Sequence, residues 1–425
     1  MTRSRSIRIQ LGSIVAAAVL ALTACAPGAD PGPTPTADPE TPSPAPYAGP
    51  ALFIGDELAG FLFTADEIAS LLPGSTDIGE PSAVLEQISD GGGPTPVPNV
   101  CLALFAEQSL WSVGSRNVVW TGAGDSDYRF GQMLALQFAD EAHAQARMDQ
   151  LAEAAAQCAT FDYNGAATFE SVNPEDAGSV RALAGTLTLP ESEGGWSTFL
   201  AYAAVGNVLV QVAHSVDGGA RPDAEAVAKK LQDRAGEALA ALTDDLTANP
   251  PTDDAEPAID ESAPWSEWEI WAGGVGPIRL GDPIVDAVAA GQAARVVEPA
   301  AAGDPWKLVN AEDSGSLLIA ATDDGTTAAS ITVGNQRSFD EDTQDGAALP
   351  LREGVRVGAP IAEAIGAFPG GTTVTVVSSG DDWYDIATRN GRLFRFHTDR
   401  DVVEPGAVIT GITVEDATKR PLKFG

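Results

Sequence analysis

Residue types able to carry acid–base, nucleophilic or metal chemistry are sparse in this chain of 425 residues, which holds three histidines and three cysteines. His143 lies in an Ala-rich stretch with helical character, and His214 and His397 lie in or beside runs that read as strands. A zinc hydrolase needs two His at i and i+4 with a Glu between them to activate water. A serine hydrolase elbow needs Gly-x-Ser-x-Gly, and a phosphate-cradling loop needs a Gly-rich run ending in Lys-Ser/Thr. None of these spacings occurs. Asp340, Glu341, Asp342, Asp345 and Gly346 offer oxygens for Ca²⁺, but their spacing fails the EF-hand pattern. They read as a solvated acidic loop, as do Asp125 and Asp127 beside Tyr128. No catalytic residue, metal ligand or cofactor is therefore assigned, and the chain is read as a non-enzyme. Trp265, Trp268 and Trp271 form a candidate binding surface, because flat apolar rings pair with the C–H faces of cell-wall sugars. The more usual role of aromatics at this spacing is packing along one edge of a domain or the interface to its neighbour.

The N-terminus decides the compartment. Arg3, Arg5 and Arg8 precede an apolar run from Leu11 to Leu22 that is short for a bilayer span. The run ends at Leu22-Thr23-Ala24-Cys25, which resembles the lipobox of bacterial lipoproteins. That resemblance implies removal of a signal peptide at 1–24 and acylation of Cys25. The protein would then be lipid-anchored in the cell membrane, on its extracytoplasmic face. The alternative is an ordinary signal peptide with a chance cysteine. With Cys25 occupied, Cys101 and Cys158 remain as a disulfide pair outside the reducing cytoplasm, against the alternative of two free buried thiols. Closing that loop contributes roughly 4 kcal/mol in the chain-entropy description. The formal charge of −36 becomes −39 once the three arginines of the leader are gone. Such charge repels nucleic acid and anionic headgroups and argues against both as partners. The hydrophobic content of 44% is that of a globular protein. The Lys-poor, Ala-, Gly- and Asp-rich composition is that of a high-GC bacterium such as an actinobacterium.

Residues 25–50 carry Pro31, Pro33, Pro35, Pro39, Pro42, Pro44 and Pro46 and read as an extended stalk. The first folded region is expected over 51–246. Thr64-Ala65-Asp66-Glu67 is a capping box that starts a short helix ending at Pro73-Gly74. Strands are expected at 118–120, 133–138 and 181–189, with a long helix over 139–158. Two more strands, 197–205 and 208–214, flank a Gly206-Asn207 turn, and Pro222 opens a helix to about Leu246. Helices beside a mainly antiparallel sheet make an α+β fold. A Pro-rich acidic linker at 247–264 precedes a second region, 265–425.

The Thr64–Leu72 start, Cys101 after Pro-Val-Pro, the LQFADEAHAQARMDQLAEAAAQC helix and the NVLVQVAHSV strand before the last helix resemble the PknH-type extracellular sensor domain of actinobacteria. The resemblance spans about Phe61–Leu246 and implies ligand sensing through a cleft. It departs from the kinase sensors, which are expected to carry a second cystine; only one can form here. In the second region IRLGDPIVDAV at 278–288 aligns with VRVGAPIAEAI at 355–365, an offset of 77, which also superposes Gly303–Trp306 on Gly380–Trp383. Leu317 matches Leu393 one residue out of phase. Order and spacing together indicate an internal duplication, with units at about 272–346 and 349–425. Each unit reads as a helix, capped in the first by Asp282, followed by a β-meander. This pattern resembles BamE/SmpA-type lipoprotein domains and the tandem-repeat β-lactamase inhibitor protein, which bind proteins through their sheets. The inhibitor's cystines are missing, so only the architecture carries over. The reading is a sensor-like extracytoplasmic lipoprotein binding an envelope protein, a glycan or a small ligand. The alternatives are a cell-wall glycan binder, or an inhibitor or scaffold acting on an envelope enzyme.

Overall fold

The structure is a computed structural model that describes residues 47–88, 95–123, 129–216, 221–251, 256–338, 340 and 343–422. The signal peptide, Cys25 and nearly all of the stalk lie outside the described residues, as do Asp125, Asp127, Glu341 and Asp342. Residues 45–425 form one compact α+β unit. No helix among the described residues is long and apolar enough to cross a membrane.

The first half contains α1 (Ala65–Leu71), β1 (Val84–Gln87), β2 (Gly114–Trp120), β3 (Gly131–Gln137), α2 (Glu141–Gln157), β4 (Phe161–Asp162), β5 (Ala166–Val172), β6 (Arg181–Thr188), β7 (Ser197–Val205), β8 (Val208–Ser215) and α3 (Ala224–Ala248). Seven of these strands form one antiparallel sheet in the order β2-β3-β8-β7-β6-β5-β4. Its middle strands are apolar almost residue by residue because both faces are covered. Val208, Val210 and Val212 pack with Val227 and Leu231 of α3, whereas Leu200, Tyr202 and Leu209 pack with Met148 and Leu151 of α2. The helices start where short polar side chains cap them: Thr64 with Glu67 as a reciprocal box, Asp140 for α2 and Asp223 for α3. At the β7–β8 turn Gly206 has φ +51°, a conformation glycine adopts without a Cβ penalty. Asn207 beside it fastens the turn, accepting from the Phe53 amide at 2.7 Å and donating to the carbonyls of Phe53 and Phe138.

The second half opens with three two-residue strands, β9 (Ile270–Trp271), β10 (Gly274–Val275) and β11 (Ile278–Arg279), in a small antiparallel sheet. One helix and four strands follow: α4 (Ile284–Ala290), β12 (Arg295–Val297), β13 (Trp306–Val309), β14 (Ser316–Ala321) and β15 (Ala328–Gly334). The same series then recurs as α5 (Ile361–Ala367), β16 (Thr372–Val376), β17 (Asp381–Ala387), β18 (Arg392–Thr398) and β19 (Ile409–Asp416). Both helices pack on one face of the joint sheet, where Ile284, Ala287, Ile361 and Ala364 meet Leu317, Ile319, Phe394 and Phe396. Asp282 does not cap α4. Its carbonyl accepts from the Ala328 amide, so the chain stays extended through Pro283, and no side chain caps the helix.

Strand order in this sheet is β1-β16-β17-β18-β19-β15-β14-β13-β12. The last strands of the two units meet antiparallel at the centre, where Thr332 faces Thr413 with their hydroxyls 2.7 Å apart. Counting outward from this pair, Leu318 corresponds to Arg395 and Lys307 to Asp385. The same count corrects two sequence matches: Leu317 corresponds to Phe394, and Trp306 to Tyr384 rather than Trp383. Side chains alternate along a strand, so this slip of one residue puts the two tryptophans on opposite faces. Trp306 packs against the helix-side core, whereas Trp383 stands on the other face, beside the core of the first half.

The halves share that outer sheet, because β1 pairs in parallel with β16, Val84 opposite Thr373 through Gln87 opposite Val376. Buried Arg116 on β2 locks the seam, donating to Gly370 O at 2.6 Å, Gly371 O at 3.2 Å and Asp56 Oδ1 at 2.7 Å. Ser115 and Thr372 exchange hydrogen bonds beside it, and Arg389 pairs with Glu57.

Candidate functional site

At the seam, on the sheet face away from α4 and α5, lies a cleft of about 410 Å³. The first half supplies Leu85 and Gln87 from β1 and the turn Leu110-Trp111-Ser112. The first unit of the duplication supplies Ala320, Ala321, Ala329 and Ser330, and the second supplies Trp383, Asp385, Arg395 and Glu415. Arg420 and Pro421 close one end.

Two carboxylate–guanidinium pairs organise the polar part. Arg395 binds Asp385 through two hydrogen bonds of 2.8 Å, and Trp383 Nε1 donates to the same carboxylate at 3.0 Å. The Arg395 guanidinium also stacks over the Trp383 ring, 4.0 Å from its centroid. Arg420 binds Glu415 at 2.6 and 2.7 Å and donates its remaining terminal nitrogen to two carbonyls across the seam, Trp111 at 3.1 Å and Ser112 at 2.8 Å. Burial opposes the charge on Glu415, yet Arg420 and Arg395 outweigh it and hold the pKa below the usual carboxylate range. Burial likewise opposes the Arg420 cation, and Glu415 and Asp385 overcome it.

The turn gripped by Arg420 is strained. Trp111 has φ +63°, a left-handed conformation that a bulky side chain adopts at a cost of about 1–3 kcal/mol. Three consecutive carbonyls hold it there, Leu110 O accepting from Arg147 at 3.3 Å and Trp111 and Ser112 accepting from Arg420. Arg147, only 1% exposed, lies under the Trp111 ring at 4.8 Å, and burial pushes its pKa down to about 9, which leaves it a cation at neutral pH. The cleft thus presents two indoles, each backed by a guanidinium, beside ion pairs already satisfied internally.

The residues singled out in the sequence lie elsewhere. Trp265 and Trp268 are 7% and 3% exposed, their rings 6.1 Å apart, and their N–H groups donate to Gly291 O and Ala263 O. A Cβ at Gly276 would lie 2.4 Å from the Trp268 ring and one at Gly273 2.1 Å from the Trp271 ring. These rings therefore pack against the backbone, which corrects the reading of the three as an open platform for sugar. None of the three histidines lines the cleft. His143 bridges Asp140 and Arg420 O, and His214 accepts from Trp120 Nε1 and donates to Pro73 O. His397 meets Thr413 Oγ1 at 2.9 Å, and burial and Arg395 push its pKa down to about 3. Asp340 and Asp345 accept from local backbone amides instead of converging on a cation. Among the described residues no His/Cys/Asp/Glu group could hold a metal ion. Cys101 and Cys158 form a disulfide that ties the turn at 99–104 to the end of α2.

Trp111, Trp383, Asp385, Arg395, Glu415 and Arg420 were not singled out from sequence as a site. Trp383 entered only as a repeat marker, and a positive φ at a Trp leaves no sequence signal. Glu415 and Arg420, five residues apart, carry none without the bend that follows β19.

Comparison with known proteins places part of this chain. Among solved structures, the crystal structure of the extracellular domain of PknH from Mycobacterium tuberculosis is similar at 14% identity and a TM-score of 0.29, over 47% of this chain and 99% of that chain. No curated protein matches. Residues 55–234 match the family described as the PknH-like extracellular domain. That stretch supplies the Leu85–Ser112 side of the cleft, and everything from Ala320 onward lies beyond it.

Proposed function

We propose that this chain is a non-enzymatic, sensor-like binding protein of the extracytoplasmic face, held at the membrane through acylated Cys25, and that its ligand sits in the cleft at the seam. The family match and the disulfide support the compartment. The observation that carries the binding role is Trp111, a strained aromatic at the cleft whose backbone is held by an arginine from the other half. Strain of this kind collects at ligand sites. Glu415, ion-paired and held below the usual carboxylate range, is a poor proton carrier at neutral pH, which suits binding better than acid–base catalysis.

The test is retention. The full chain, incubated with an envelope extract, washed and denatured, should release a defined species measurable by mass spectrometry. Ala320→Trp, which fills the cleft without touching an ion pair, should abolish that retention. Equal retention by the variant would sink the cleft reading. Cys25→Ala should move the protein out of the membrane fraction. A second reading, an inhibitor or scaffold acting through the duplicated module, is favoured by the bare outer edge at β12, where Val296 and Val297 are 42% and 40% exposed.

A further inference from the structure

We infer that the ligand of this cleft is a neutral saccharide, an inference that rests on the cleft reading above. The charges on its lining decide the class. An anionic ligand needs a guanidinium fork still open to it, but Arg395 and Arg420 are each bound through two nitrogens to a carboxylate. A cationic ligand needs an open carboxylate or an indole whose π charge no other cation already draws on. Asp385 and Glu415 are neutralised by those arginines, and each indole already has a guanidinium behind it, at 4.0 Å for Trp383 and 4.8 Å for Trp111. Asp416, also in the lining, is paired with Arg392, and the rim charges Asp323 and Lys419 are of opposite sign.

A neutral ligand must then satisfy two indoles and the remaining lone pairs of two carboxylates at once. A fully apolar ligand would bury those ion pairs against hydrocarbon, which is costly. A neutral peptide strand needs unpaired backbone partners, but β14, β15, β17, β18 and β19 are paired on both sides, and on the outer side of β1 Val84 already donates to Ser82 Oγ and accepts from Asn117. A sugar ring meets both demands: C–H faces for Trp111 and Trp383, and hydroxyls that donate to carboxylate oxygens and exchange with Ser330. The volume of about 410 Å³ lies within the range of small-ligand sites.

The duplication supplies an internal control. At the places corresponding to Asp385, Arg395 and Trp383 the first unit carries Lys307, Leu318 and Pro305. The ion pair and the outward tryptophan therefore belong to the second unit alone and are not required by the shared architecture.

The full chain is applied to an array carrying neutral hexose, pentose and N-acetylhexosamine oligomers beside uronic-acid and sulfated ones, with affinities then measured by titration. Binding confined to neutral oligomers is expected, at least tenfold weaker in Trp383→Ala and in Ala320→Trp and unchanged in Trp196→Ala, which removes an exposed tryptophan outside the cleft. Circular dichroism checks that each variant is folded, and Ala320→Trp keeps the test open if Trp383→Ala is not. Binding only to acidic glycans overturns the inference. So does an absence of glycan binding while the envelope species is still retained in an Ala320-dependent way, and in that case the cleft reading stands. Glycan binding indifferent to both cleft variants overturns the inference at this site.

Discussion

Among the described residues of the first half, Glu67 is held by several partners at once. Arg234 Nη2 reaches both its oxygens at 2.6 and 2.7 Å, Lys230 Nζ lies at 2.8 Å, and the Thr64 amide donates at 2.9 Å. Burial would raise its pKa, but Lys230, Thr64 and Arg234 together lower it from 4.5 to about 2. The unfolded chain therefore takes up this proton near pH 4.5 and the folded chain only near 2. The stabilisation is complete above pH 4.5 and is lost as pH falls towards 2. We expect Glu67→Gln to lower the urea midpoint at pH 7 and to lose less than the wild type between pH 4.5 and 2.5; parallel pH curves would refute this account. The cap that places Glu67 was legible, because Thr-x-x-Glu before an apolar run is a local signal. The charge partners from α3 were not, because they arrive through packing over more than 160 residues. The same contrast separates Trp265 and Trp268, conspicuous in sequence and buried in fact, from Trp383, whose role depends on which face its strand presents.

At the scale of elements, periodicity and turn chemistry revealed α2, α3 and the β7–β8 hairpin within a few residues, since each rests on neighbours in sequence. β1 escaped, because a strand of four residues between turns has no period to read and is fixed by pairing with β16 nearly 290 residues away. The register of β17 escaped for a related reason. Aligning identical letters placed Trp383 on Trp306, whereas the hydrogen-bond ladder places Tyr384 there. The disulfide connects two elements that packing also holds, Cys101 and Cys158 both lying in the cluster with Met148, Leu151 and Phe161. Its 57-residue separation corresponds to a loop-closure contribution of about 4 kcal/mol. Reduction should therefore lower the unfolding midpoint in guanidinium by a shift equivalent to no more than about that value while leaving the far-ultraviolet circular dichroism unchanged. Loss of the native spectrum on reduction would mean that the cystine, and not the helix packing, defines this corner of the fold.

At the scale of the whole molecule the duplicated sheet has equivalent ends that are treated differently. β12 ends one side bare, while β16 at the other is covered by a strand from the first half, so the seam continues the sheet instead of apposing two surfaces. Such a junction couples the halves energetically. Opening it would expose the edge of β16, leave Gly370 and Gly371 carbonyls without Arg116, and release the strained Trp111 turn from Arg420. We therefore expect residues 47–425 to unfold in one calorimetric transition, with van't Hoff and calorimetric enthalpies in agreement. Arg116 is 5% exposed and bound across the seam, and its replacement removes a buried cation from several acceptors at once. Because Asp56 is exposed and what loses its donor is the Gly370 and Gly371 carbonyls, Arg116→Ala should cost about 1–3 kcal/mol and, by loosening the seam, broaden or divide the transition. Two well-separated transitions in the wild type would show that the halves are independent bodies that merely touch, and the cleft between them would then lack the fixed geometry a selective site requires.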